Sequence, residues 1–196
     1  MHNLILTNIA RHIQLNDGET DVFISLLQLK KLRKRQFLVS SGDECRFEYF
    51  VNKGCLRQYY LDDKGLEHIT MFAPEDWWIS DMYGFIYKQP ALTTIEALED
   101  TEVFALERSN FEVLVTKVPK FERFFRIILQ RAFVSHQRRI IESMSLSSKE
   151  RYENFIYQYP SLEQRLSQRH IAYYLGVTPE SLSRIKAGRL KKKAKT

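Results

Sequence analysis

The spacing of hydrophobic residues changes near Gln36. Before that residue, apolar side chains recur three or four positions apart, which predicts two short amphipathic helices. The positions are Leu4, Ile5, Ile9 and Ile13, then Val22, Phe23, Leu26 and Leu27. After Gln36, short runs rich in β-branched and aromatic residues alternate with glycine-containing turns such as 41–43 and 62–65. The runs are 37–39, 49–51, 55–61, 68–72, 93–97 and 102–106. Strands at intervals of roughly ten residues predict an antiparallel sandwich or barrel.

The following segment predicts a long helix. After Pro119 there is neither glycine nor proline up to Met144, and apolar residues recur at intervals of three and four. About 25 helical residues extend about 38 Å, which is long for a helix that only covers one small domain. The pattern favours a seam between two copies of the chain. The alternative is a helix that packs only on its own sheet.

Residues 166–186 predict two short helices around a tight turn. Ser167 suits the N-cap of the first helix, because its hydroxyl can accept a hydrogen bond from an unpaired backbone N–H. Thr178 suits the N-cap of the second helix, with Pro179 at the first helical position. Gly176 lies between them, where a left-handed C-cap is easily adopted. This arrangement is typical of a helix-turn-helix that reads the major groove of DNA.

The second helix is predicted to present a polar face. Glu180 and Arg184 are four residues apart, so both lie on the side opposite the apolar positions. Arginine is the commonest bidentate partner of guanine, and a carboxylate can accept from the cytosine amino group. Residues at the start of the first helix are suited to phosphate. The predicted DNA contacts are Ser167, Arg169, Thr178, Glu180, Ser181, Arg184 and Lys186. The alternative is an ordinary helical hairpin with a solvated charged face.

The charge of the chain is divided unevenly. Residues 1–118 hold 13 Lys and Arg against 18 Asp and Glu, a net charge of −5. Residues 119–196 hold 17 against 6, a net charge of +11, and residues 164–196 alone hold 9 against 1. A basic part joined to an acidic one indicates a DNA-binding module attached to a domain of another kind.

Composition excludes several other classes of protein. Cys45 and Cys55 form neither a CxxC pair nor a disulfide framework, so we expect a reducing, cytoplasmic location. The first residues lack the pattern of a signal peptide, and no apolar run approaches the length of a membrane span. The cysteines and His68 lack metal-ligand spacing, and no nucleophile–base set or phosphate loop is present. We therefore expect neither a metal site, nor an enzyme, nor a membrane partner.

Taken together, these features resemble the Crp/Fnr family of bacterial transcription regulators over essentially the whole chain. The resemblance is most specific at residues 166–186 and next at the turns of 41–43 and 49–54. It implies an α+β fold, with an N-terminal double-stranded β-helix or jelly roll and flanking helices, a long dimerisation helix and a C-terminal helix-turn-helix domain. The implied boundaries are 1–118 for a cyclic-nucleotide-binding-like sensor domain, 119–145 for the dimerisation helix and 146–196 for the DNA-binding domain.

The resemblance also implies partners and roles. By position, Glu180 and Arg184 match the base-reading residues of the family, and Ser167 matches its phosphate-contacting serine or threonine. Pro179 stands where members often have arginine, so the preferred DNA sequence is expected to differ. The implied partners are double-stranded DNA, a second copy of the chain and RNA polymerase. Members commonly follow the second helix with a two-stranded wing, but here only a short lysine-rich tail remains. We expect that tail to take over the phosphate contacts of the wing.

The sensor half departs from the cyclic-nucleotide-binding pattern. Such members carry Gly-Glu for the ribose hydroxyl and an arginine before Ser or Thr for the phosphate. In this sequence no arginine occurs between Arg57 and Arg108. A buried phosphate without a positive partner carries a large desolvation penalty. The matching positions form a degenerate effector pocket of Ser80, Asp81, Thr93 and Thr94. We expect no cofactor and no ordinary response to cyclic AMP; the N-terminal cysteine cluster of iron–sulfur members is also absent before Cys45.

Two functions remain open at this point. The favoured one is a sequence-specific DNA-binding transcription regulator that acts as a homodimer. The other is a ligand-sensing interaction module whose helix-turn-helix binds a protein partner.

Overall fold

A computed structural model describes residues 2–193 of the chain. It divides into two compact units. The first unit comprises Met1–Tyr60 and Met71–Phe133, and the second comprises Leu61–Thr70 and Val134–Thr196. These limits differ from the three predicted segments, because Leu61–Thr70 groups with the C-terminal helices and the division falls inside the long helix. The predicted domain boundaries stay a prediction.

The first unit begins with two helices, followed by the strands. The helices are α1 (Asn3–Ala10) and α2 (Asp17–Ser25). The strands are β1 (Leu27–Leu32), β2 (Phe37–Val39), β3 (Phe47–Lys53), β4 (Leu56–Leu61), β5 (Glu67–Ala73), β6 (Trp78–Ile79), β7 (Thr94–Ala97) and β8 (Thr101–Glu107). They form two four-stranded sheets with the orders β1-β8-β3-β6 and β2-β7-β4-β5. The predicted jelly-roll class is confirmed.

Alternation along the strands creates two cores. On β3, Tyr49 and Val51 belong to the cluster between the sheets, together with Leu56 and Ile95. Phe50 points the other way and packs with apolar residues of the flanking helices. Successive side chains of a strand face opposite sides, so one strand supplies both clusters. The helices on the second side include α1, α2 and α4 (Arg108–Lys117).

The long helix α5 (Lys120–Ser145) changes character along its length. Near its start, Phe121, Phe124 and Phe125 are buried in the helical cluster of the first unit. Further along, its large apolar side chains are exposed. These are Leu129, Phe133, Val134, Ile140, Ile141 and Met144, and Met144 is 83% exposed. The apolar residues at the beginning of α5 are therefore buried within the same chain. Those of its later part stay exposed to solvent in a single chain.

The second unit contains the C-terminal helices. After the end of α5 come α6 (Ser148–Gln158), α7 (Leu162–Arg165), α8 (Gln168–Leu175) and α9 (Pro179–Lys193). Ser147 caps α6 through a capping box with Glu150. The buried apolar side chains of these helices are Tyr152, Phe155, Leu162, Leu166, Ile171, Ala172, Leu175 and Leu182.

Several elements differ from the sequence expectations. The second helix ends at Ser25, and Leu27 begins a strand that pairs antiparallel with β8. That pairing is non-local, so the local spacing of apolar residues could not reveal it. The helix α9 continues to Lys193, so the lysines at 191–193 are helical and Lys195 lies outside the described residues. Among the residues described, no helix is both long enough and apolar enough to cross a membrane.

Candidate functional site

Helices α8 and α9 are joined by the predicted capped turn. The Ser167 hydroxyl accepts from the His170 N–H at 3.1 Å, and the Thr178 hydroxyl accepts from the Ser181 N–H at 3.2 Å. Gly176 adopts a left-handed conformation with φ 67° at the end of α8. The next N–H, of Val177, donates to the Ala172 carbonyl at 3.0 Å, which closes the helix end. Both helix starts and the turn between them are therefore fixed by local hydrogen bonds.

The packing of the two helices decides which side chains face outward. Ile171, Ala172 and Leu182 are fully buried. Glu180 and Arg184 are exposed on α9. A polar face on the second helix therefore coexists with an apolar contact to the first, as a major-groove reader requires.

The exposed face of α9 carries complementary hydrogen-bonding groups. The Arg184 Nη2 donates to the Ser181 hydroxyl at 3.3 Å. A hydrogen bond from its own backbone N–H, then one from the Thr178 side chain, lowers the pKa of the Glu180 carboxyl, with a smaller effect from the Arg184 charge. Glu180 is therefore an ionised acceptor beside a guanidinium donor. Such a pair can address the amino group of one base and the acceptor edge of another.

The start of α8 carries the residues predicted to contact phosphate. Arg169 Nε donates to the Tyr173 hydroxyl at 3.0 Å, and its guanidinium lies 5.2 Å from the centre of the Tyr173 ring. These contacts hold the arginine along the outer side of the helix. The Ser167 hydroxyl accepts within the cap and still has a proton to donate.

Lys186 differs from the other predicted DNA contacts. Its ammonium lies 3.4 Å from the Glu163 carboxylate, and its side chain is 26% exposed. The Tyr152 hydroxyl donates to the same carboxylate at 2.5 Å. On a helix that advances about 100° per residue, Lys186 lies about 120° around the axis from Glu180, whereas Arg184 lies about 40° from it. Helical spacing alone indicates this difference, whereas no pattern in the sequence indicates Glu163 or Tyr152 as partners of Lys186.

The structure brings together three of the four residues predicted for the effector pocket. Asp81 caps α3 (Met82–Tyr87) by accepting from the Gly84 N–H at 2.8 Å. Its second oxygen accepts from the Leu92 N–H, the Thr93 N–H and the Thr93 hydroxyl at 3.1, 2.9 and 2.6 Å. Ser80 is buried beside it, and its carbonyl accepts from Gln58 Nε2 at 3.2 Å. Gln58, which the sequence analysis did not identify, also donates to the Thr93 hydroxyl at 2.7 Å.

Thr94 lies outside this network. Its hydroxyl accepts from the Ser41 N–H at 3.1 Å. Thr93 lies in the bend before β7, whereas Thr94 is the first residue of that strand. Thr94 is therefore not brought together with Asp81.

A second buried network lies on the neighbouring strands. Arg57 on β4 is directly opposite Glu96 on β7. Its Nε and Nη2 donate to one Glu96 oxygen at 2.8 and 2.5 Å, and both side chains are nearly fully buried. The guanidinium also lies 4.3 Å from the centre of the Tyr59 ring. The charge of Arg57 is therefore already compensated within the protein.

The fold has counterparts among known proteins. Residues 29–117 match the cyclic nucleotide-binding domain family. The chain is 28% identical to an anaerobic regulatory protein of Aggregatibacter actinomycetemcomitans over 97% of this chain and 77% of that protein. It is also 28% identical to the fumarate and nitrate reduction regulatory protein of Vibrio cholerae over 91% of this chain and 75% of that one. The structure of FixK2 from Bradyrhizobium japonicum superposes with a TM-score of 0.75 at 19% identity, covering 85% of each chain.

The chain belongs to the Crp/Fnr family of transcription regulators. Proteins of this family are transcription regulators and not enzymes. Within this family, residues 29–117 correspond to the cyclic nucleotide-binding domain.

The match to a cyclic nucleotide-binding domain raises the question of whether the four residues predicted for the effector pocket could bind a cyclic nucleotide. Four protein donors contact the Asp81 carboxyl, one at Oδ1 and three at Oδ2. The four residues predicted for the pocket include no cation that could meet a cyclic phosphate. The absence of an ordinary response to cyclic AMP therefore stays a prediction.

Proposed function

We propose that this protein is a sequence-specific DNA-binding regulator that acts as a homodimer and does not respond to cyclic AMP in the usual way. The observation that carries the proposal is the exposed face of α9, where Glu180 and Arg184 lie one helical turn apart on a capped, packed helix. The basic charge of residues 164–196, 9 Lys and Arg against 1 acidic residue, supports an attraction to the phosphate backbone.

The proposed roles follow from the contacts of each residue. Glu180 and Arg184 read base edges, Ser181 orients Arg184, and Ser167 and Arg169 bind phosphate. Thr178 acts through the cap that fixes the start of α9. We assign Lys186 to holding α9 against Glu163 and not to a DNA contact, because its ammonium faces that carboxylate.

The proposed homodimer rests on the exposed apolar residues of α5. At about 100° per residue, Leu129, Phe133, Ile140 and Met144 fall within an arc of about 60°. A stripe of this kind is covered when two helices pair along their length. Two copies would present two recognition helices to two half-sites of DNA. RNA polymerase as a further partner and a cytoplasmic location stay predictions of the sequence.

Selection from a pool of random duplexes, followed by fluorescence anisotropy on the selected and mutated sites, tests the DNA-binding function. We expect affinity to fall steeply with salt. Arg184→Ala should reduce discrimination at one base pair by about 1–3 kcal/mol, whereas Arg169→Ala should weaken binding to all duplexes alike. Lys149→Gln removes an exposed charge of α6 and serves as the control that changes neither property.

Two outcomes would contradict the proposal. If the parent selects no sequence, the helix-turn-helix does not read DNA and the protein-binding alternative is favoured. If Arg184→Ala retains the sequence preference of the parent, direct readout by Arg184 is wrong.

A further inference from the structure

One polar residue interrupts the exposed apolar stripe of α5. Leu129, Phe133 and Ile140 of that stripe are exposed in a single chain. His136 is exposed as well, and at about 100° per residue it lies about 20° around the axis from Leu129 and about 40° from Ile140. His136 therefore belongs to the same face of α5 as the apolar residues that a second copy would cover.

The spacing of these residues fits two helices that pair along their length. Leu129, Phe133, His136 and Ile140 follow one another at steps of four, three and four residues. Alternating steps of three and four keep one seam turned toward a partner helix, and the residues of such a seam are normally apolar. A single polar residue in the seam lowers the stability of the pair and determines which residues meet. His136 occupies the position of such a residue.

His136 also lies near the middle of the stripe, about halfway between Leu129 and Met144. In a pair of identical chains related by a two-fold axis, residues close to the axis meet their own counterparts. If the two helices are parallel, every residue of the seam meets its counterpart. If they are antiparallel about the middle of the stripe, the central residue does. Both arrangements bring the two His136 side chains together.

The surroundings of His136 on its own helix disfavour a positive charge on the imidazole. Arg139, three residues further along α5, donates to the carbonyls of Ile69 and Tyr174 at 2.6 and 2.8 Å. Its guanidinium is therefore fixed in place and keeps its proton. Partial burial, followed by the positive charge of Arg139, lowers the pKa of His136 below its ordinary value. The neutral imidazole is thus the favoured form at neutral pH.

Charged and titratable groups of other elements border the same cavity as His136. His68 of β5 pairs with Asp62, with 2.9 Å between Nε2 and Oδ2, and Arg151 of α6 adds a positive charge. The carboxylate among the described lining residues is that of Glu142, which accepts from Arg138 Nε at 2.7 Å. The other titratable lining groups are the tyrosines of α8, Tyr173 and Tyr174. Protonated His136 would therefore meet further cations here, while the carboxylate already has a partner.

We propose that His136 makes the pairing of two copies through α5 dependent on pH, an inference that rests on the proposed homodimer. When both imidazoles are neutral, the N–H of one ring can donate to the unprotonated nitrogen of the other. When both are protonated, each ring has two donors and no acceptor, and two positive charges meet in an otherwise apolar contact. The seam is therefore complete with neutral His136 and is opposed by its protonation.

Pairing is lost toward acid. Because the pair disfavours the charged form, the pKa of His136 is lower in the pair than in a single chain. Pairing is at full strength above the single-chain pKa and weakens as the pH falls from that pKa to the lower pKa of the pair. The pair holds two such residues and excludes up to two protons. The dissociation constant therefore rises by up to about 100-fold for each pH unit within this range.

Sedimentation velocity of the full chain over a range of concentrations, at pH 8 and at pH 5.5, measures the dissociation constant of the pair. We expect the constant of the parent to be about tenfold higher or more at pH 5.5. His136→Leu should pair with the same constant at both pH values, within about twofold, because its seam is apolar throughout. His136→Lys carries a charge at both pH values and should sediment as a monomer at both. Circular dichroism at each pH establishes that the variants are folded.

His68→Gln is the matched control, because His68 borders the same cavity but pairs with Asp62. It should keep the pH dependence of the parent. The inference is overturned if the parent pairs equally well at both pH values, if His136→Leu dissociates in acid as the parent does, or if His68→Gln abolishes the dependence. These three outcomes leave the homodimer in place. A parent that is a monomer at pH 8 overturns the homodimer and this inference with it, whereas the Arg184→Ala experiment above is independent of pairing.

Discussion

The carboxylate of Glu163 on α7 lies 3.4 Å from the ammonium of Lys186 on α9. It also accepts a hydrogen bond from Tyr152 on α6 and lies 4.0 Å from Arg189. One acidic side chain therefore joins three helices of the second unit and fixes the helix that carries Glu180 and Arg184.

Glu163→Gln should reduce the free energy of unfolding by about 1–3 kcal/mol at neutral pH, because it weakens charge-assisted hydrogen bonds. The hydrogen bond from Tyr152, followed by the charge of Lys186, lowers the pKa of Glu163 in the folded protein. The stabilisation is therefore complete above the unfolded pKa and is lost as the pH falls through the folded one. Urea unfolding at several pH values should show the difference from the parent shrinking toward acid.

Glu153→Gln is the matched control for that measurement. Glu153 forms a half-exposed pair with Lys149 at 4.0 Å on α6, so its loss should change stability by less than about 0.5 kcal/mol. If Glu163→Gln and Glu153→Gln change the free energy of unfolding equally, the contacts of Glu163 stabilise the protein no more than an exposed ion pair does.

Glu48→Gln should stabilise the protein in mild alkali. Burial raises the pKa of the Glu48 carboxyl to about 7, so the folded state holds its proton more tightly than the unfolded state. Stability therefore decreases as the pH rises from the unfolded pKa to about 7, and the full penalty remains above it. At pH 8 we expect a gain on the order of 1–3 kcal/mol for Glu48→Gln, which disappears below about pH 4.5. Chemical denaturation at both pH values measures the free energy of unfolding, and Glu112→Gln, at an exposed residue, is the control. If Glu48→Gln stabilises the protein equally at both pH values, burial of the charge is not the cause.

Asp81→Ala should destabilise the sensor without affecting any response to cyclic nucleotides. The substitution leaves several buried N–H and O–H donors without an acceptor, at about 2–5 kcal/mol in total. Asp63→Ala, at an exposed turn, should have little effect. Calorimetry of the parent should detect no cyclic AMP or cyclic GMP binding in the micromolar range. Micromolar binding of either would show that the network at Asp81 opens for a ligand.

Phe133→Asp should convert a dimer into a monomer with an unchanged fold. Phe133 is 68% exposed in a single chain and belongs to the apolar stripe of α5, so an aspartate there disturbs a surface that a second copy would cover. Sedimentation velocity and circular dichroism measure the two properties. Tyr157→Asp makes the same kind of change at a residue of α6 that is 90% exposed and should leave the dimer intact. A parent that sediments as a monomer would remove the basis for pairing through α5.

The sequence predicted best what depends on neighbouring residues. Ser167, Gly176 and Thr178 occupy the predicted caps, because a cap is a local hydrogen bond. It predicted less well what depends on distant parts of the chain. The strand at Leu27 requires β8 as a partner, and the ion pair of Arg57 with Glu96 requires two strands in register.

The two halves of α5 have different requirements for a partner. Phe121, Phe124 and Phe125 are buried by residues of their own chain, whereas Ile140 and Met144 are exposed in a single chain. Folding of the first unit is therefore independent of protein concentration, while pairing is not. Below the dissociation constant of the proposed dimer, the number of paired DNA readers in a cell would rise with the square of the amount of protein. Control of the copy number of this regulator would then act as a signal in its own right.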